Sequence, residues 1–233
     1  MEKVLFWDFD GTLVFPDSKW STALYVALHN LSYNVSFDDI RHHLHTGYTW
    51  HTPEIDYVES TGQKWWDKLF HHFSSLYKEH EISEIESTRI NRRFKEQILD
   101  SSNYTLYEDA IFVLQSCLDL GCQNYILSNN FPELPFVIEG LGLSKFFAGY
   151  VVSGNLGYEK PRKEIFQYAL RISGFPDDCF MIGDNPVADM QGGRTVGMKT
   201  ILVHKECVFD ADYTCNDLIE IPSILSKDTN KGK

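Results

Sequence analysis

Five short apolar runs punctuate the chain: Val4-Leu5-Phe6-Trp7, Tyr125-Ile126-Leu127, Tyr150-Val151-Val152, Phe180-Met181-Ile182 and Ile201-Leu202-Val203. The first is too continuous for a strand with one wet face and too short for a helix, which is the pattern of a strand covered on both sides in a parallel sheet. Between the later runs lie stretches of helical spacing at 107–121, 134–143, 162–174 and 188–197. Strands alternating with helices of about ten residues mean βαβ units. The expected fold class is therefore α/β, a Rossmann-like parallel sheet with helices on both faces. A sixth short strand is expected near 211–213 and a closing helix near 216–225.

Residues 16–100 break this alternation. Their apolar positions recur at helical spacing, as in STALYVALHNL, QKWWDKLFHHFSSLYKEH and INRRFKEQIL, and no β-rich run interrupts them. They read as an inserted α-helical domain, with 1–15 and 101–226 forming the α/β core. Trp65, Trp66, Phe70 and Phe73 are expected to fill the small interior of the insertion. The tail 227–233 has no apolar anchor and is expected to be flexible.

Composition excludes several classes. Of 233 residues, 43% are hydrophobic and 14% aromatic, enough apolar mass for one sizeable core and a smaller insertion. A formal charge of -12 argues against a nucleic-acid partner, because phosphate backbones attract clustered Lys and Arg. Any positive contacts to an anionic substrate must then be local. Cys117, Cys122, Cys179, Cys207 and Cys215 form no CxxC pair and read as reduced, free thiols. The N-terminus lacks a signal-peptide layout, and no apolar stretch approaches bilayer length. The expectation is a cytoplasmic protein without a membrane partner, monomeric or homodimeric.

Polar residues cluster where the apolar runs end. Asp8 and Asp10 follow the first run one residue apart, so strand periodicity points both carboxylates the same way, and Gly11 allows a sharp turn after them. Ser128-Asn129-Asn130 end the second run; Lys160 precedes Pro161 after the third; Gly183-Asp184 end the fourth, with Asp189 five residues on. Singly, each has a plain structural use: a helix N-cap, a solvated lysine, a tight turn, a helix-dipole partner. Strand ends of one sheet share an edge, however, so these residues converge in one crevice. Several ionised carboxylates there would repel one another and any phosphate. A hard cation with oxygen ligands, such as Mg²⁺ completed by substrate phosphate, removes that conflict.

The motifs DFDGTL at 8–13, Ser128 behind an apolar strand, Lys160 before Pro161, and GDNPVAD at 183–189 resemble, in order, the four motifs of the haloacid dehalogenase-like (HAD) hydrolase superfamily. The insertion after the first motif is similar to the helical cap of many members. The resemblance implies a phosphatase acting on a small phosphorylated metabolite with Mg²⁺ as cofactor. It implies Asp8 as the nucleophile that becomes an aspartyl phosphate, and Asp10 as the acid that protonates the leaving group and then activates water. Asp8, Asp184, Asp189 and the Asp10 carbonyl would serve the metal. Ser128 and Asn129 would bind the phosphoryl group, Lys160 would neutralise its charge, and Thr12 would orient the site.

Other readings share this core. A sugar phosphomutase differs chiefly in the phosphoryl acceptor. A phosphonatase would need an insertion lysine, and Lys19, Lys64 and Lys68 sit in no matching context. A dehalogenase has no need of Asp10, and a non-catalytic module would not need Asp8. In the insertion, Tyr48, Trp50 and His51 are candidates for contacting the leaving group, with packing of Trp50 in the interior as the alternative. Eight of nine histidines fall between His29 and His80. They form no HxxxH pair, and solvated or packed roles are expected for them.

Overall fold

The computed structural model describes residues 3–15, 18–205 and 210–228; Cys207 and the tail beyond 228 lie outside them. Six strands, β1 (Val4–Trp7), β2 (Gln123–Ser128), β3 (Phe147–Val152), β4 (Cys179–Gly183), β5 (Lys199–Val203) and β6 (Tyr213–Cys215), form one sheet in the order β3-β2-β1-β4-β5-β6. All five pairings are parallel. Trp7 lies level with Ile126 of β2 and Ile182 of β4, so the first, second and fourth strands end together. That register brings Asp8, Asn129 and Asp184 to one edge.

Alternate residues of the strands face opposite sides. Leu5, Trp7, Ile126, Phe180 and Ile182 pack in one apolar cluster with α5 (Ala110–Asp119), α6 (Leu134–Gly140) and α10 (Ile221–Asp228). Val4, Phe6, Tyr125, Leu127 and Met181 pack in another against α8 (Lys163–Ile172). The sheet is therefore covered on both faces, and each wholly buried Leu or Phe contributes roughly 1.5–3 kcal/mol.

Between β1 and α5 the described residues form four α-helices: α1 (Lys19–His29), α2 (Phe37–Leu44), α3 (Gln63–Glu79) and α4 (Glu84–Leu99). Ser36 and Ser83 cap α2 and α4 by accepting the amides of Asp39 and Glu86. Trp65, Trp66 and Phe73 are buried as expected, while Phe70 is only half-buried. This interior is continuous with the core: Trp20 and Trp66 lie 6.0 and 5.7 Å from Phe131, which follows β2. Trp66 also donates to Glu133 at 2.7 Å, and Lys95 pairs with the same carboxylate at 2.7 Å.

Three local expectations shift. Where a helix was read at 188–197, Pro186–Gln191 form a π-helical turn followed by the short α9 (Gly192–Arg194). Gly192 presses against Phe166 of α8 and Gly193 against Met181 of β4, so close approach to both elements sets this geometry. β6 starts at Tyr213, where it meets Ile201, two residues after the expected start. A 3-10 turn at Leu218–Glu220, held by an Asp217–Glu220 capping box, replaces the start of the closing helix. The helix then runs on to Asp228 because Asp228 is anchored by Lys3, Lys199 and Tyr213. The short α7 (Ser153–Leu156) links β3 to the Lys160 loop.

Candidate active site

Lys160 is the hub of the site. It is buried, and its ammonium contacts Asp8 at 2.9 Å and Asp189 at 2.6 Å and donates to the Leu127 carbonyl at 2.9 Å. Its backbone is clamped by Asn129, whose Oδ1 accepts the Lys160 amide at 2.7 Å and whose Nδ2 donates to the Lys160 carbonyl at 3.0 Å. The Asn129 side chain thus positions the lysine loop. Asp189 is fully buried behind Lys160, and its other oxygen accepts the Asn185 amide at 3.0 Å. A Cβ on Gly183 would collide with that carboxylate, so only glycine fits.

Gly11 turns the chain after Asp10 at φ +78°, a left-handed conformation that suits glycine. A Cβ there would also come within 2.9 Å of the Asp184 carboxylate, so the first-motif turn packs directly on the fourth-strand acid. Oxygens of Asp8, Asp184 and Asp189 all lie within 4.8 Å of one another, a possible metal-holding group among the described residues. Burial, then repulsion from Asp8, raises the Asp184 carboxyl above the usual range, with Lys205 at 3.3 Å opposing. Burial raises Asp189 as well, against the pull of Lys160. Burial alone would lower Lys160, yet Asp189 and Asp8 outweigh it and keep the ammonium charged.

Asp10 stands apart from that acid group. One oxygen accepts Asn130 Nδ2 at 2.8 Å, and the other is ion-paired with Lys19, the buried first residue of α1. Lys19 also sits 4.6 Å over the Tyr104 ring. The two acids of the first motif therefore have different partners: Asp8 has the Lys160 ammonium, and Asp10 has one contact from the core and one from the insertion.

A cavity of about 860 Å³ opens between the strand ends and the insertion. Asp8, Asp10, Asn129, Lys160 and Asp184 line it from the sheet. Asp189, Ser128 and Thr12 are buried and do not line it. Ser128 Oγ is 3.5 Å from Asn130 Nδ2; the Thr12 carbonyl faces His204 Nε2 at 3.1 Å, while its buried hydroxyl lacks a hydrogen-bond partner among the described residues. From the insertion come Tyr48, Trp50 and His51. Trp50 does both things considered for it: it lines the cavity and stacks on buried Tyr48 at 4.4 Å and 7°.

Sequence reasoning missed several lining or supporting residues. Asn130 shares the side of Ser128 by strand periodicity, a signal that could have found it. Lys19 carries no sequence signal for this role, since its reach to Asp10 depends on how α1 starts. Arg41, His42, His45 and Trp20 also line the cavity. Of the histidines, His43 and His72 pack together at 4.8 Å, as a packed role requires, whereas His42, His45 and His51 face the cavity.

A family model described as haloacid dehalogenase-like hydrolase matches residues 2–197. The chain is 33% identical over 104 residues to the phosphoserine phosphatase of Thermus thermophilus, covering 44% of this chain and 42% of that protein. It is 32% identical over 96 residues to human N-acylneuraminate-9-phosphatase, covering 38% of this chain and 39% of that one. The matches thus span about two fifths of these curated relatives. Among solved structures, the magnesium-bound HAD-hydrolase YfnB of Bacillus subtilis superposes with a TM-score of 0.75 at 23% identity, over 97% of this chain and 99% of that one.

Proposed function

The chain belongs to the haloacid dehalogenase-like hydrolases, and on that premise we propose that it is a metal-dependent phosphatase cleaving a small phosphomonoester through a phosphoryl group carried on Asp8. The observation that carries this reading is the separation of the two first-motif acids: Asp8 faces Lys160 and the acid group, while Asp10 is held independently by Asn130 and Lys19. A nucleophile must face the phosphoryl group while the group that moves the proton is directed separately, and separate partners allow that division. Phosphatase-named relatives and a magnesium-bound structural neighbour support the same reading.

The donor set fits Mg²⁺. Asp8 and Asp184 offer hard carboxylate oxygens to the cavity, and Asp189 stands behind them. Burial and mutual repulsion raise the Asp184 carboxyl, the conflict that a cation resolves. When bound, the ion would neutralise these acids and stabilise charge on the phosphoryl oxygens.

The residues then divide the work. A carboxylate oxygen of Asp8 forms the bond to phosphorus as the bond from phosphorus to the leaving oxygen breaks. Asp10 gives that oxygen a proton, and Asn130 fixes the direction of its carboxyl. In the second step Asp10 takes a proton from the water that attacks the aspartyl phosphate, releasing phosphate and restoring Asp8. Lys160 contributes fixed positive charge beside Asp8, and Asp189 holds it there. A dehalogenase would give Asp10 no proton to deliver.

The test is to quench turnover of an aryl phosphate with acid and to search peptides by mass spectrometry. A hydroxylamine-sensitive phosphoryl group on Asp8, absent from Asp8→Asn, is the expected result. Turnover without any acyl phosphate, or with Asp8→Asn fully active, would refute the proposal.

A further inference from the structure

The insertion supplies this cavity with a wall unlike the rest of a chain whose formal charge is -12. Arg41 and His42 on α2, His45 at its end and His51 on the 3-10 turn Thr49–His51 all line the cavity. The acidic group on this wall is Asp38, yet neither Arg41 nor these three histidines makes an ion pair with a carboxylate among the described residues. The other lysines of the site are committed, Lys19 to Asp10 and Lys160 to Asp8 and Asp189. Partial burial, then the nearby His45 and His72, lowers the His51 imidazole, so Arg41 is the fixed positive charge of this wall. Trp20, Tyr48 and Trp50 line the same cavity and suit the uncharged body of a ligand.

We propose that the cavity takes a phosphomonoester carrying a second anionic group, a carboxylate or a second phosphate, and that Arg41, flanked by His42, His45 and His51, receives that group. The inference rests on the phosphatase reading for where the first phosphoryl sits. An arginine fork suits both anions because it presents paired N–H donors to two oxygens. The rest of the leaving group would lie along Trp20 and Trp50. The basic wall thus serves to select among phosphomonoesters, while the chemistry stays with Asp8 and Asp10.

Binding of non-hydrolysable probes to the Mg²⁺-loaded protein tests this by calorimetry. Three series of increasing chain length serve: alkylphosphonates, ω-phosphonocarboxylates and α,ω-bisphosphonates. At one or more lengths the second anion is expected to tighten binding at least tenfold over the matched alkylphosphonate, and Arg41→Gln to reduce that ratio below twofold. Arg41 is exposed, so the variant should fold, and its thermal transition checks this. The series that gains more identifies carboxylate or phosphate as the anion. No gain at any length, a gain that survives in Arg41→Gln, or no binding by any series would overturn the inference. Turnover of p-nitrophenyl phosphate by the same preparation separates the two claims: if it persists, only the anion subsite fails; if it is absent, the reaction reading fails.

Discussion

Lys160 sets the electrostatics of the site at the level of single residues. It is buried between Asp8 and Asp189, and each carboxylate would otherwise face the other without compensation. Removing one partner of a buried ion pair is strongly destabilising, because the remaining charge stays desolvated. Lys160→Met is therefore expected to lower stability by roughly 3–5 kcal/mol in chelator, read by urea denaturation. Asp184→Asn should act the other way, since it removes the carboxylate that burial and Asp8 strain. Expected is a folded variant whose thermal midpoint no longer rises with Mg²⁺, whereas that of the wild type does. A Mg²⁺ response retained in Asp184→Asn would remove that residue from the metal site. Asp8 and Asp184 were legible in the sequence because each closely follows an apolar run that had to be a strand, and Lys160 because it precedes Pro161 in the order of the four motifs. Lys19 was not, since its relation to Asp10 depends on side-chain reach between two parts of the fold, whereas Asn130 carried the signal of sharing its side with Ser128.

At the scale of elements, the insertion meets the core through few backbone contacts. The Tyr57 amide donates to the Gly157 carbonyl at 2.9 Å and the Gly62 amide to the Gly154 carbonyl at 3.0 Å, both beside the Lys160 loop. Gly157 ends α7 at φ +82°, and a Cβ there would come within 2.4 Å of the Val58 backbone. Gly157→Ala is expected to cost about 2–4 kcal/mol from left-handed strain together with a backbone clash, measured by denaturation. Little change would mean the insertion can shift freely there. Trp50, half-buried and stacked on Tyr48, belongs to both packing and cavity. Trp50→Ala should alter the ranking of bulky substrates far more than turnover of a small aryl phosphate; a uniform loss would assign it to packing. The strands were readable from apolar runs and three of the four inserted helices, α1, α3 and α4, from their periodicity; α2, at 8 residues, shows too short a pattern to stand out. The π-helical turn at Pro186–Gln191 was not readable either, because Gly192 pressed against α8 and Gly193 against β4 decide it, and periodicity carries no record of tertiary approach.

Across the whole molecule, a charged knot at the sheet edge remote from Asp8 ties the residue before β1 to the end of α10. Lys3 precedes β1, Asp178 precedes β4, Lys199 opens β5 and Asp228 ends α10; Lys3 and Lys199 each pair with both acids at 2.6–3.0 Å. Burial alone would raise Asp228, but Lys199, Tyr213 and Lys3 hold it down at about 2. A carboxyl depressed on folding contributes stability above its unfolded value, here 3.8, and loses it as the pH falls toward 2. Asp228→Asn is expected to cost about 1 kcal/mol at neutral pH, with the difference from wild type fading between about pH 4 and pH 2. A difference that persists at pH 2 would assign the effect to packing instead. The tail was expected to be flexible from 227 because it lacks apolar residues. Its start is held by this charge knot, which composition does not reveal.

The central claim is that Asp8, Lys160 and Asp184 form a metal-dependent phosphomonoesterase site. The most direct measurement is phosphate release from p-nitrophenyl phosphate and a panel of phosphorylated metabolites, with Mg²⁺ and with chelator, by wild type and Asp8→Asn. The account requires release by the wild type that chelator abolishes and Asp8→Asn lacks, with both proteins folded. Release that is indifferent to chelator or to Asp8→Asn, or no release from any compound by folded, Mg²⁺-loaded wild type, would contradict it.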